Sequence, residues 1–219
     1  MMFWNQTVVQ LFFKGGFVMW PLLLASIVSL GVVVERLLFI FREKKYRDSG
    51  SVEEILMFSE RGDIPSAIRT GQGSRDFVAK TLLYGLVHRE KSFSNALLCA
   101  ANKELKRFSQ GLPILDTIIT LAPLMGLLGT VTGMIRAFGL LGGRELEAPS
   151  VITGGIAEAL IATAFGLGIA IVSLLPFNYL NARLEEARHE IEDACNNLEL
   201  LLMKPVKLEK EYADLIACR

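Results

Sequence analysis

The chain reads as an all-α integral membrane protein, with three transmembrane helices and long helical extensions into the cytoplasm. Three observations predict this. Of its 219 residues, 52% are hydrophobic and the mean hydropathy is +0.41, which is high for a soluble domain. Three apolar runs, 17–41, 113–141 and 151–180, each exceed the ~20 residues a helix needs to cross a bilayer. The 23 basic and 23 acidic residues cancel overall but gather in the segments outside those runs. No basic patch of the kind that binds nucleic acid stands out.

Residues 1–16 (MMFWNQTVVQLFFKGG) are too short and too broken by polar side chains to span. Their Phe3, Trp4, Phe12 and Phe13 read as a short amphipathic segment on the outer face. The first run, 17–41, would extend about 37 Å as a helix. It is too long for a signal peptide, lacks a small-residue cleavage site, and leads into basic residues. Arg36, Arg42, Lys44, Lys45 and Arg47 crowd its far end against Lys14 before it, so the N-terminus is expected outside the cytoplasm.

Residues 42–112 hold 13 Lys and Arg against 9 Asp and Glu, too many charges to cross, and are expected in the cytoplasm. Ser51 and Glu54 have capping-box spacing and predict a short helix through Phe58, ended near Gly62. Pro65 suits the first turn of another, stopped by the glycines at 71 and 73. Apolar residues recur at helical spacing from Phe77 to Phe108, predicting one long amphipathic helix. His88 within it has no partner at metal-ligand spacing, and reads as a packing or surface residue.

The second run carries APLMGLLGTVTGM at 122–134. Gly129 and Gly133 form a GxxxG pair and Gly126 adds a third small site, so one face can lie against another helix. Asp116 falls at one boundary of the span. Arg136 lies about 12 Å beyond the midpoint toward the other, where it can snorkel. Residues 142–150 make a short link on the outer side, turning the second and third runs into an antiparallel hairpin. Pro149 fits the first turn of the third helix.

The third run contains GGIAEALIATAFGLGIAIV at 154–172. Gly155, Gly166 and the neighbouring alanines allow close backbone approach. Its acid, Glu158, is the only one deep in any run. A carboxylate at mid-membrane costs roughly 2.5–3.5 kcal/mol on insertion scales, and such residues face a bundle interior or a wet cavity. By helical rise Glu158, Thr163 and Thr130 fall within one band of depth. Two readings stand for each: ion passage, or, for Glu158, a structural acid satisfied by a neighbouring subunit and, for the threonines, a hydroxyl bonded to its own helix.

Beyond 181 the helix continues. Leu184, Ile191 and Leu198 repeat every seven residues, with Ala187, Ala194 and Leu201 between them, a seam for another helix of the same or a neighbouring subunit. Lys204 and Pro205 end it, leaving a charged tail. Cys99, Cys195 and Cys218 lack metal spacing and read as reduced thiols. No nucleophile–base or phosphate-loop arrangement appears, so the chain is not expected to be an enzyme or to need a metal or cofactor.

The motifs at 122–134 and 155–167, with Glu35 and Arg36 closing the first run, resemble the MotA/TolQ/ExbB proton channel family, in its ExbB/TolQ branch. The resemblance covers nearly the whole chain. It implies a ring of subunits, typically a homopentamer, in the lipid of a Gram-negative inner membrane. The ring would enclose an ExbD/TolR-like single-span partner whose aspartate carries the proton. It would use the proton-motive force to drive a TonB- or TolA-like protein, in outer-membrane transport or in envelope maintenance and cell division. It also implies that Thr130, Glu158 and Thr163 line the proton pathway. A structural scaffold is the alternative from a different class.

Overall fold

The computed structural model describes residues 8–139 and 148–203. Every regular element among them is a helix: α1 (Val8–Lys14), α2 (Met19–Lys45), α3 (Ser49–Glu60), α4 (Ile64–Gly73), α5 (Phe77–Val87), α6 (Arg89–Ser109), α7 (Leu112–Gly139) and α8 (Ala148–Met203). Three of them, α2, α7 and α8, are long and apolar enough to cross a membrane. Most of the link expected at 142–150, the helix stop at Lys204 and Pro205, and Cys218 lie outside the described residues. The helices divide into two units, Met1–Leu38 with Gln110–Asn181, and Phe39–Ser109 with Ala182–Arg219.

The first unit holds α1, α7 and most of the apolar length of α2 and α8. Its core is small: Val18, Met19, Leu22, Ala122 and Ala162 are buried, with Phe12, Met125, Phe165 and Ile169 packed around them. Trp20, Leu24, Ile27 and Leu30 on α2 and Leu160, Ile171 and Leu175 on α8 point outward, as a lipid-facing surface requires. Pro123 lies inside α7 and Pro176 inside α8. Each removes one helical hydrogen bond, tolerable in a span where neighbouring helices and side-chain hydroxyls re-satisfy the backbone.

The second unit is a cluster of short helices around the far end of α8. Leu184, Ala187, Ile191, Ala194 and Leu198 are buried, and the last four join one core with Val52, Ile55, Ile64, Ala67, Phe77, Val78, Leu82 and Leu97. The seven-residue seam is therefore covered by α3, α4, α5 and α6 of its own chain. Cys99 is exposed and Cys195 half-buried, and both are unpaired.

Helix starts in this unit depend on three aspartates. Asp48 caps α3 by accepting from the Ser51 backbone N–H at 3.2 Å and from its hydroxyl at 2.6 Å. Asp63 caps α4 through the Ser66 N–H at 3.2 Å. The Ser51 hydroxyl and N–H hold the Asp48 carboxyl below the usual carboxylate range, and those of Ser66 do the same for Asp63. The expected cap at Ser51 is thus corrected to Asp48, three residues earlier, because an aspartate before a serine can accept from both its groups. The single helix expected over 77–108 is also corrected. α5 ends at Val87, and Ser92 has extended backbone inside α6 (φ −171°, ψ 91°), so the chain doubles back and packs Leu97 against Gly85.

Asp76 is the most buried of these acids, 1% exposed. It accepts from the N–H groups of Val78 at 2.7 Å, Ala79 at 3.4 Å and Asp48 at 2.7 Å, and pairs with Arg47. Arg47 also reaches Glu190 of α8 at 2.8 Å and stands over the Phe77 ring. A buried carboxylate persists only when saturated in this way. Replacing Asp76 by Ala leaves those N–H groups and the Arg47 charge without their acceptor. We expect Asp76→Ala to cost about 3 kcal/mol and Asp76→Asn about 1–2 kcal/mol, read as loss of unfolding free energy in detergent solution.

Candidate functional site

In the first unit α7 and α8 lie antiparallel, and small residues set their separation. A Cβ added to Gly126 would stand 3.0 Å from the Thr163 Cα and 3.1 Å from the Ala162 carbonyl oxygen. One on Gly129 would meet the Ala162 Cβ at 2.5 Å, and one on Gly133 the Gly155 carbonyl at 3.1 Å. From the α8 side, Gly155 faces the Ala137 Cβ and Gly166 faces the Ala122 carbonyl, each pair too close for an added methyl. All five glycines expected at helix contacts thus sit where the two backbones meet, a small-residue interface of the kind that lets membrane helices approach closely.

That approach positions the polar groups. The Thr163 hydroxyl donates across the interface to the Gly126 carbonyl at 3.0 Å. Thr130, by contrast, donates to the carbonyl of Leu127 in its own helix at 2.6 Å. Thr132, Thr120 and Thr117 also bond carbonyls one turn back in α7, which satisfies a hydroxyl in an apolar medium without a partner helix. Of the two threonines, only Thr163 therefore ties α7 and α8 together.

Glu158 stands near the α1–α2 turn. Its Oε1 lies 3.2 Å from Nη1 of Arg136 on α7, with the glutamate side chain 29% and the arginine 60% exposed. Gly16 forms the floor of this corner. Its φ of +73° is a left-handed conformation that glycine adopts without strain. A Cβ there would also stand 2.8 Å from the Glu158 Cδ and closer still to Oε1. Arg136, expected as a boundary residue, is also the ionic partner of Glu158. Adding helical rise to each midpoint places Arg136 about 5 Å outward of Glu158, so depth alone contained a signal for the pair. Nothing in the sequence pointed to Gly16.

Two further polar features lie in this unit. Ser29 of α2 and Ser173 of α8, both buried, share a hydrogen bond of 2.7 Å. They border an open groove of about 460 Å³ lined also by Ser26, Val33, Phe165 and Pro176. Arg36, 5% exposed, pairs with Glu35 and packs near the Gly111 turn. Among the described residues no group of three or more His, Cys, Asp or Glu side chains is placed to hold a metal ion.

Comparison with known proteins places these features in context. The sequence pattern of the MotA/TolQ/ExbB proton channel family matches residues 71–193. An ExbB-like biopolymer transport protein of Synechocystis sp. is 38% identical over 204 residues, covering 87% of this chain and 77% of the relative. The biopolymer transport protein ExbB of Neisseria meningitidis serogroup A is 29% identical over 203 residues, 86% of this chain and 91% of the relative. The Tol-Pal system protein TolQ of Haemophilus influenzae is 38% identical over 112 residues, 51% of this chain and 49% of the relative.

The tightest backbone approach offers a direct test of the packing. A methyl on Gly166 would stand 2.5 Å from a main-chain oxygen of α7, whereas one on Gly31 of α2 meets nothing within 4 Å. Gly166→Ala is expected to lower stability in detergent by about 1–3 kcal/mol. Gly31→Ala should leave it unchanged or raise it by up to about 1 kcal/mol, compared by thermal melts of the two variants.

Proposed function

The chain belongs to the MotA/TolQ/ExbB proton channel family, and within it we propose an ExbB/TolQ-like subunit of a proton-driven motor in a Gram-negative inner membrane. The chain is a multi-pass membrane protein of a family devoted to transport. In the proposed topology the N-terminus is periplasmic, residues 42–112 and 181–219 are cytoplasmic, and residues 142–150 form the periplasmic link. Five copies would form a ring around an ExbD/TolR-like single-span partner, coupled to a TonB-like protein that energises outer-membrane transport. The length of the match to the Neisseria ExbB, most of both chains, favours this over the TolQ-like role in envelope maintenance. That second role is supported by the higher identity to TolQ over half the chain.

The observation that carries the reading is Glu158. It is the one acid in the 154–172 stretch of α8, partly exposed, and held by a cation from α7. One proton crossing 100 mV releases about 2.3 kcal/mol. Coupling that to motion requires a group that is charged in one state and neutral in another. In the proposed mechanism Glu158, Thr163 and Thr130 form the polar lining along which a proton passes to the partner's acid. Thr163 contributes by keeping α7 and α8 in register around the acid.

Glu158→Ala and Glu158→Gln are both expected to abolish proton-driven uptake while the oligomer and its single-span partner still co-purify. Full uptake by Glu158→Gln, with an oligomer lost only in Glu158→Ala, would make the residue a scaffold element and sink the motor reading. The protein that co-purifies, TonB-like or TolA-like, decides between the two systems.

A further inference from the structure

We propose that Gly16 and Arg136 are positioning residues for Glu158, forming a corner that holds its carboxylate in one place between the α1–α2 turn and α7. This rests on the proton-path reading of Glu158 and goes beyond it by saying what aims the acid. Two independent features converge on one oxygen. Arg136 Nη1 lies 3.2 Å from Oε1, and the same Oε1 is the atom nearest to a Cβ built on Gly16. The only other charged residue in α7 is Asp116, twenty positions away and about 30 Å along the axis. Lys14, the last residue of α1, is the other charge on the segment that approaches Glu158.

Gly16 matters here in two ways, through its backbone and through its neighbour. At φ +73° a side chain is strained, and at this position it would also drive the carboxylate off its seat. The two causes separate by comparison with Gly62, which has φ +76° and open space around it. Gly62→Ala carries the backbone strain alone, while Gly16→Ala adds the collision. Arg136 supplies the attraction that turns the flexible glutamate toward α7. Displacing a reacting group by about 1 Å can cost on the order of a hundredfold in rate, so the corner matters to transfer even where the fold survives.

The test measures proton-driven uptake by the full complex together with oligomer stability. Arg136→Gln should lower uptake by roughly tenfold to a hundredfold with the oligomer intact, and Arg136→Lys should restore most of it. Gly16→Ala should lower uptake similarly while Gly62→Ala does not. Shortening the acid in Gly16→Ala/Glu158→Asp should recover stability relative to Gly16→Ala alone, because the carboxylate withdraws from the added methyl. Wild-type uptake in both Arg136→Gln and Gly16→Ala, with Glu158→Gln inactive, would overturn the positioning role and leave the proton path standing. An active Glu158→Gln would overturn the path itself. Loss of uptake in Lys14→Gln but not in Arg136→Gln would assign the counter-charge to α1 and also overturn the proposal.

Discussion

Where Gly126, Gly129 and Gly133 of α7 meet Gly155, Ala159, Ala162 and Gly166 of α8, two backbones come so close that an added methyl would press on main-chain atoms or on an alanine Cβ. In lipid no hydrophobic force draws one apolar helix to another, so association depends on dispersion contacts and interhelical hydrogen bonds. Both need short distances. The Thr163 bond to the Gly126 carbonyl depends on Gly126 having no side chain, since a Cβ there would stand 3.0 Å from the Thr163 Cα. The contact of Arg136 with Glu158 depends on the same register, since one helical turn of slippage would move the partners about 5.4 Å apart along the axis.

The apolar unit accounts for its polar groups in two ways. Threonines on α7 turn back to their own carbonyls, while Ser29 and Ser173 satisfy each other across α2 and α8. The first device costs the helix little and binds nothing. The second, like Thr163, fixes one helix against another. Glu158 belongs to neither class, because it is held by a charge yet stays partly exposed. A purely structural acid would be expected to be saturated and buried, as Asp76 is in the other unit with three N–H donors and Arg47. Two carboxylates of one chain therefore sit in different surroundings, one saturated and buried, the other paired with a single charge and partly exposed.

Much of this was legible from the sequence. Hydropathy located the three long helices, since a span must be apolar for its full length. Glycine and alanine spacing marked the faces of α7 and α8 that meet, and the seven-residue repeat of Leu184, Ile191 and Leu198 marked a buried seam. The capping of α3 was misread because Ser51 and Glu54 match one rule while Asp48 satisfies a stronger one nearby. The break between α5 and α6 was missed because helical periodicity persists on both sides of it. A change of direction at His88 and Ser92 alters the partners of each face without altering its pattern.

The sequence by itself determined where the three long helices run, that they are long and apolar enough to cross, and where along each of them a polar residue falls. Those properties follow from composition, period and rise, all local to a helix. Only the tertiary structure decided that the seam of α8 is covered by helices of its own chain, that Thr163 rather than Thr130 bridges to a neighbouring helix, and that Gly16 and Arg136 meet Glu158. Such meetings depend on how each helix is rotated about its axis and where a turn lays the chain back on itself. Neither is written in the period of any one segment, and the acid at position 158 acquired its surroundings from three separate parts of the chain.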